Sequence, residues 1–385
     1  PGRTRMATMK LTAGADVAEQ QLENEEALLI LPHGYDPYEE DEPAYCFLAP
    51  APEEPASMEE ALAEYQSLLG NGTCDLVVLP EGKKAVQCKW VLRIKTDDKG
   101  QVTIYKSRLV AKVFMQKEKQ DFNEIFAPTA KPPTLRVLLA DAAVSGKSII
   151  QMDISTAFLN GVLEEDVYMT QPPGYEDGTG RVCKLKKSIY GLKQAPRCWY
   201  QKLAAVLEEM GFRTSSSDES LFLKGEREKL VLFLVYVDDI LLFSSSMKEI
   251  QKVQQQLMNN FKCNTLGEVK YYLGMHVERD LDHRWLKLHQ EKFIKELGEK
   301  YGIENERKVA TPLPAEFKLV KAAEDEGVEA EDQQQFQSLV GSLLYAAIHT
   351  RPDISFSVGQ LARVVQNPSE EQVDAAERVV KYLLV

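Results

Sequence analysis

Residues 230–246 read LVLFLVYVDDILLFSSS. Six apolar residues run into Tyr236, Val237, Asp238 and Asp239, and four more apolar residues follow. Two short apolar arms around a tight polar centre predict a β-hairpin with the acids at its turn. The arms are rich in Leu, Val, Ile and Phe, which suits strands buried on at least one face. Adjacent carboxylates at the tip of a buried hairpin repel each other and call for a compensating cation, and an all-oxygen site suits Mg²⁺. Asp is also common in ordinary turns, so the hairpin alone leaves both readings open.

Charge is strongly segregated around this stretch. Residues 1–75 hold 3 Lys and Arg against 16 Asp and Glu, which is the whole net charge of −13. The remaining 310 residues are balanced, with 43 basic and 43 acidic. Residues 83–119 hold 11 basic and 3 acidic residues, and residues 181–202 hold 7 basic and none acidic. Such runs suit phosphate backbones, although a single charge run is more often a solvated face. At 385 residues and 44% apolar content, the chain has room for two or three domains with their own cores.

Several classes are excluded or disfavoured. No run of eighteen apolar residues exists, so no membrane span is expected. PGRTRMATMK lacks the apolar core of a secretory signal. The six cysteines form no C-x-x-C pair and show no zinc-knuckle spacing, which suits a reducing intracellular setting. The chain ends at Val385 directly after a helical pattern, and a piece of a longer reading frame is expected.

Taken in order, residues 1–75 are rich in Glu, Pro and Ala and read as a disordered leader, with one short helix expected over 57–69. Residues 86–114 hold two β-rich runs and predict a two-stranded ribbon turning at Asp97-Asp98-Lys99-Gly100. Its basic residues alternate with apolar ones: Lys89, Arg93 and Lys95 on one arm, Lys106, Arg108 and Lys112 on the other. A helix over 134–144 and a strand over 149–154 follow, the strand delivering Asp153 at its end. Further helices are expected over 196–210 and 247–260, a strand over 269–279 paired with 285–288, and helices over 290–301, 332–349, 354–365 and 369–384.

Polynucleotide extension requires a 3′-hydroxyl to attack an α-phosphate while pyrophosphate leaves, and two metal ions about 4 Å apart can serve both oxygens. Carboxylates on two adjacent strands can hold such ions, and Asp153 and Asp238-Asp239 are placed for this. The long motifs KWVLRIK, YKSRLVAK, FAPTAK, QMDISTAFLNGVLEEDVYMTQPPGY, VCKLKKSIYGLKQAPRCWY, YVDDILLF, YYLGM and SLVGSLLYAAIHTRPDISF occur in this order. In them the chain, from about residue 77 to 385, resembles the reverse transcriptase of copia-type LTR retrotransposons.

That resemblance implies an RNA-directed DNA polymerase adding deoxynucleotides to a primer 3′-OH. Asp153, Asp238 and Asp239 resemble its metal-binding catalytic acids, with two Mg²⁺ ions as cofactor and Mn²⁺ as an alternative. Phe158 resembles the aromatic gate that crowds a ribose 2′-hydroxyl, and Gln194 and Tyr236 resemble residues of the nucleotide site. Lys95 and Arg108 resemble contacts to the triphosphate, and Tyr272, Leu273 and Gly274 the turn that grips the primer. Tyr190 and Trp199 are expected to be core or stacking residues. Three departures stand out: Val113 and Ser155 replace the family's usual glycine and basic residue, and Asp218-Glu219-Ser220 replaces its Asp-Pro-Cys.

The implied fold is α+β, a right-hand polymerase of fingers, palm and thumb with a ferredoxin-like palm sheet and a helical C-terminal part. Residues 1–75 would be leader, 76–275 fingers and palm, and 276–385 thumb and connection, stopping before an RNase H. Expected partners are an RNA template, a DNA or RNA primer, deoxynucleoside triphosphates, an upstream integrase and a downstream RNase H, with no membrane. The expected setting is cytoplasmic, within virus-like particles, with access to the nucleus. The competing reading is a weakened nucleic-acid-binding remnant of a transposon. A capsid-like protein is disfavoured because no knuckle or basic tail is present.

Overall fold

The periodicities of the sequence set the order of elements. β1 (Cys74–Val77) precedes an antiparallel ribbon of β2 (Cys88–Thr96) and β3 (Val102–Ala111). α1 (Pro132–Ser145) carries proline in its first turn, where a missing N–H costs nothing, and stops at Gly146, φ 72°. β4 (Ser148–Ile154), a 3₁₀ turn at Ala157–Asn160, β5 (Val162–Met169) and β6 (Val182–Lys187) follow. α2 (Ala195–Glu209) leads to β7 (Arg213–Thr214), β8 (Leu221–Lys224), β9 (Val231–Tyr236) and β10 (Asp239–Ser244). α3 (Met247–Asn260) is capped by the Ser246 side chain, which accepts the Glu249 N–H. Then come β11 (Cys263–Glu268), β12 (Tyr271–Tyr272), β13 (Met275–Asp280) and β14 (Trp285–His289). Four helices end the chain: α4 (Glu291–Lys300), α5 (Ala330–His349), α6 (Ser355–Ala362) and α7 (Glu370–Leu383), the last opened by a Ser369–Gln372 capping box.

The structure is a computed structural model that describes residues 66–385 apart from 67, 69, 97–101, 113–115, 117–121, 304–308, 315, 318 and 320–326; the side chains of 92–106 also lie outside it. The chain divides into two units, Pro1–Pro50, wholly outside the described residues, and Ala51–Val385, which carries everything below. The ribbon turn expected at 97–100, Val113 and most of the helix expected over 57–69 lie outside the described residues. No helix among the described residues is long and apolar enough to cross a membrane.

The central sheet is antiparallel throughout, in the order β11-β4-β10-β9-β8-β7. Strand alternation gives it two apolar faces. On one face Ile150, Met152, Ile154, Ile240, Leu242, Val231, Phe233 and Val235 pack against Trp199, Leu203, Val206 and Leu207 of α2 and Ile250, Val253 and Leu257 of α3. On the other, Ile149, Leu241, Phe243, Leu232 and Leu234 pack against Leu135, Leu138, Leu139 and Ala142 of α1 and Tyr272, Met275 and Val277 of the β12-β13-β14 sheet. Burial on both faces explains why β9 and β10 read as continuous apolar runs instead of alternating ones.

The β1-β6-β5 sheet and the base of the β2–β3 ribbon share a third core with Val86, Leu109, Val167, Met169, Leu185 and Ile189. Helices α4 to α7 enclose a fourth. One expectation is corrected: the single strand predicted over 269–279 is two strands, β12 and β13, folded about Leu273 (φ 46°) and Gly274 (φ 75°). Two successive left-handed residues are the geometry of a two-residue hairpin loop, and glycine supplies one of them without strain.

Two of the departures fall among the described residues. The Ser155 N–H donates to the Lys262 carbonyl at 2.9 Å. Asp218 is buried, accepting the Lys131 N–H at the start of α1 (3.1 Å) and the Ser220 N–H (2.9 Å). Ser220 is fully buried, and its hydroxyl has no hydrogen-bond partner. A buried unpaired hydroxyl carries an uncompensated desolvation cost of about 1–3 kcal/mol, whereas a thiol behaves as a small hydrophobe. Ser220→Cys is therefore expected to stabilise the fold by about 1 kcal/mol, read as a higher urea midpoint at unchanged slope. A lower midpoint would show that the hydroxyl is satisfied.

Candidate active site

Register brings the acids together. Asp153 at the end of β4 lies directly opposite Asp239 at the start of β10, and Asp239 lies opposite Tyr236 of β9. On the far side of β4, Asp153 faces Asn264 of β11. Tyr236, Asp239, Asp153 and Asn264 thus form one row across four strands, on the sheet face that also holds Ile149 and Leu241. Adjacent strands lie about 4.8 Å apart, so two carboxylates stand side by side with little between them. Gln151, one step back on β4, donates from Nε2 to Asp239 Oδ1 at 3.4 Å.

Asp238 sits in the two-residue turn between β9 and β10. The turn is fixed by its backbone. Val237 adopts φ 56°, a left-handed conformation that a β-branched residue resists. Its carbonyl accepts the Trp199 indole N–H at 2.7 Å, and the Asp238 carbonyl accepts the Ile154 N–H at 3.0 Å. Trp199 is 2% exposed and stands edge-on to Phe261, with ring centroids 5.2 Å apart. The residue expected to be core or stacking is both, and it also holds the turn that carries the acids.

The negative charge of this row reaches its neighbours. Tyr272 is 1% exposed, and its hydroxyl is buried without a hydrogen-bond partner. Burial, then the charges of Asp239, Tyr236 and Asp238, hold its phenol far above its usual range, so it stays protonated. Burial and then the Asp153 charge raise the Cys263 thiol.

The donor set fits a hard divalent cation. Asp153 and Asp239 are oxygen-only neighbours, Asp238 adjoins them, and Tyr272 leaves an orphaned hydroxyl on the same side. Among the described residues no three His, Cys, Asp or Glu side chains close into a cage. Mg²⁺ does not need one, because it is characteristically held by one or two carboxylates together with substrate phosphates.

The other predicted residues fall in four places. Phe158, on the 3₁₀ turn after β4, stands edge-on to Tyr190 with centroids 5.0 Å apart. The Arg108 guanidinium lies 4.9 Å over the same Tyr190 ring, and its buried Nε has no hydrogen-bond partner. Tyr190, expected to be core or stacking, links the two. Lys95 pairs with Ile104 in the ribbon, and its side chain lies outside the described part. Gln194 is 1% exposed and accepts the Gln116 Nε2–H at 3.1 Å. It lines a recess of about 170 Å³ with Glu124, Glu164, Glu165 and Arg197. Tyr272, Leu273 and Gly274 form the tip of the β12–β13 hairpin, which packs on the acid-bearing face.

Trp199→Phe keeps an aromatic ring but leaves the partly buried Val237 carbonyl without its donor. The fold is expected to lose about 1–3 kcal/mol, read as a lower urea midpoint at unchanged slope, and an unchanged midpoint would show that the indole does not hold the turn.

The sequence profile of the family described as reverse transcriptase (RNA-dependent DNA polymerase) matches residues 71–315. The chain is similar to a retrovirus-related Pol polyprotein from transposon TNT 1-94 of Nicotiana tabacum, 39% identical over 338 residues, covering 86% of this chain and 26% of that one. It is similar to the retrovirus-related Pol polyprotein from transposon RE1 of Arabidopsis thaliana, 37% identical over 324 residues, covering 83% and 22%. A putative transposon Ty5-1 protein of Saccharomyces cerevisiae is 32% identical over 234 residues, covering 60% of this chain and 75% of its own. The chain spans about a quarter of the length of the two plant relatives.

Proposed function

The chain belongs to the reverse transcriptase family found in the Pol polyproteins of copia-type retrotransposons, and from that membership we propose that it extends a primer along an RNA template with the row at Asp153 and Asp239 as its reaction centre. The carrying observation is the direct pairing of Asp153 with Asp239 beside a turn whose backbone is fixed from two directions. When bound, divalent metal supplies charge neutralisation at the attacking and leaving oxygens. Asp153, Asp238 and Asp239 provide the carboxylates that would hold it. Trp199 and Ile154 would fix the backbone of the turn that carries Asp238, and Gln151 would orient Asp239.

The remaining roles follow from position. Phe158, held edge-on by Tyr190, presents a rigid ring just beyond the β4 acid and would exclude a ribose 2′-hydroxyl. Arg108, whose guanidinium lies over Tyr190 at the base of the ribbon, would meet triphosphate from the ribbon side, and Lys95 would assist from the same ribbon. Gln194 and Tyr236 would border the nucleotide, and Tyr272, Leu273 and Gly274 would support the primer. In this reading the central sheet with α2 and α3 is the palm, the ribbon and the β1-β6-β5 sheet are the fingers, and α4 to α7 are thumb and connection. Partners would be template, primer, deoxynucleotides and the other Pol parts, in cytoplasmic virus-like particles.

Primer extension by purified protein on an RNA template, with and without Mg²⁺, tests the whole reading. Asp153→Asn and Asp238→Asn each remove a charge without removing core volume, so both are expected to abolish extension while unfolding as the wild type does. Normal extension by either would overturn the acid assignment. Phe158→Ala is expected to admit ribonucleotides at least about tenfold more readily, since a methylene-scale clash is worth about 1–3 kcal/mol of discrimination. Unchanged discrimination would leave Phe158 a packing residue.

A further inference from the structure

The motif SLVGSLLYAAIHTRPDISF, residues 338–356, has no part in the chemistry above, yet it touches the primer-side hairpin directly. Tyr345 of α5 donates its hydroxyl to the Leu273 carbonyl at 2.5 Å. Leu273 and Gly274 are the two loop residues of the β12–β13 hairpin. At Gly274 (φ 75°) a Cβ would overlap the Tyr345 hydroxyl, so a side chain there would push the tyrosine from its place on the tip.

Tyr345 is itself held. Its ring stands edge-on to Phe293 of α4, with centroids 5.1 Å apart, and tilts against His349 at 4.6 Å. The His349 Nδ1–H donates to the Tyr345 carbonyl at 2.9 Å. Arg136 of α1 reaches the carbonyls of Ile348 and His349, the latter at 3.1 Å. Thr350 donates to the buried Gln290 Oε1 at 2.7 Å. The end of α5 is thus tied to α1 and to the β14–α4 junction, and through Tyr345 to the hairpin tip. Tyr272, on the same tip, is buried with Leu234 and Leu241 on the sheet face that carries Asp153 and Asp239.

We propose that Tyr345 is a positioning residue for the primer, a latch through which α5 sets the distance of the Leu273–Gly274 tip from the carboxylate row. This rests on the proposed reading of that hairpin as the primer support. The latch fixes a backbone carbonyl instead of touching nucleic acid, so its loss should loosen the primer end without changing the nucleotide site.

The test uses the full chain on a primer–template. Tyr345→Phe retains the ring and removes only the hydroxyl. Primer–template is expected to dissociate about three- to tenfold faster, the equivalent of one lost hydrogen bond, and products per binding event to shorten in proportion. The KM for deoxynucleotide should stay at the wild-type value, which general loosening of the fold would not spare. Gly274→Ala is then made in both backgrounds. Its backbone strain is common to both, whereas overlap with the hydroxyl exists only with Tyr345, so the dissociation penalty should be at least twofold smaller beside Tyr345→Phe. Wild-type dissociation by Tyr345→Phe, or an equal Gly274→Ala penalty in both backgrounds, overturns the latch while wild-type extension still supports the polymerase. Wild-type protein that neither binds nor extends a primer overturns the polymerase reading, and the latch with it.

Discussion

The arrangement depends on one strained turn. Val237 occupies a left-handed conformation that its branched side chain disfavours, at a cost of order 1–3 kcal/mol. Two hydrogen bonds to consecutive carbonyls, from Trp199 and from the Ile154 N–H, oppose relaxation. Asp239 is thereby held in register with Asp153, although the two charges repel. Behind Asp239, Ile240, Leu241, Leu242 and Phe243 are fully buried, and a one-residue slip of β10 would turn the Asp239 carboxylate toward the core under α2 and α3 and mismatch that packing.

The same sheet explains how the acids stay near the surface of a molecule whose core surrounds them. Its face toward α2 and α3 is closed along its length by Trp199, Leu203, Ile250 and Val253. Its other face is covered by α1 and the β12-β13-β14 sheet only as far as Tyr272. The polar row begins where that cover ends. Gln151, Asp153 and Asp239 therefore occupy the boundary between packed core and open surface, where a charged ligand could approach while the backbone beneath is rigid.

Much of this was legible in the chain. The apolar arms of 230–246 and the run ending at Asp153 are local patterns, and they yield β9, β10 and β4 with the acids at their ends. Helix α3 begins at Met247 and ends at Asn260, the bounds expected from the sequence. Contacts across long separations were not legible. Trp199 and Val237 are 38 residues apart, and Tyr345 and Leu273 are 72 apart, and neither pairing leaves a periodic trace. Trp199 and Tyr190 read only as core or stacking residues because composition reports burial, not the direction of an indole N–H or the stacking of a guanidinium. The β12–β13 turn leaves no trace in the apolar pattern, because YYLGM is apolar enough to pass for continuous strand, and only the family resemblance placed a turn at Tyr272, Leu273 and Gly274.

The position of β4 has a consequence for how the molecule is made. Both its neighbours, β10 and β11, come from residues 239–268, so β4 emerges from synthesis with no strand to pair with on either side. Its partners arrive roughly ninety residues later, several seconds at about 5–20 residues per second. Through that interval an apolar strand ending in Asp153 offers two unsatisfied hydrogen-bonding edges. Segments of that kind pair with whatever strand is nearest, including another nascent copy. The ribbon made before β4 and the intervening β5–β6 pair and α2 can form first, because β2 pairs with β3 and β5 with β6 within their own stretches. The carboxylate row therefore cannot close until β10 has been made, because Asp239 supplies half of it.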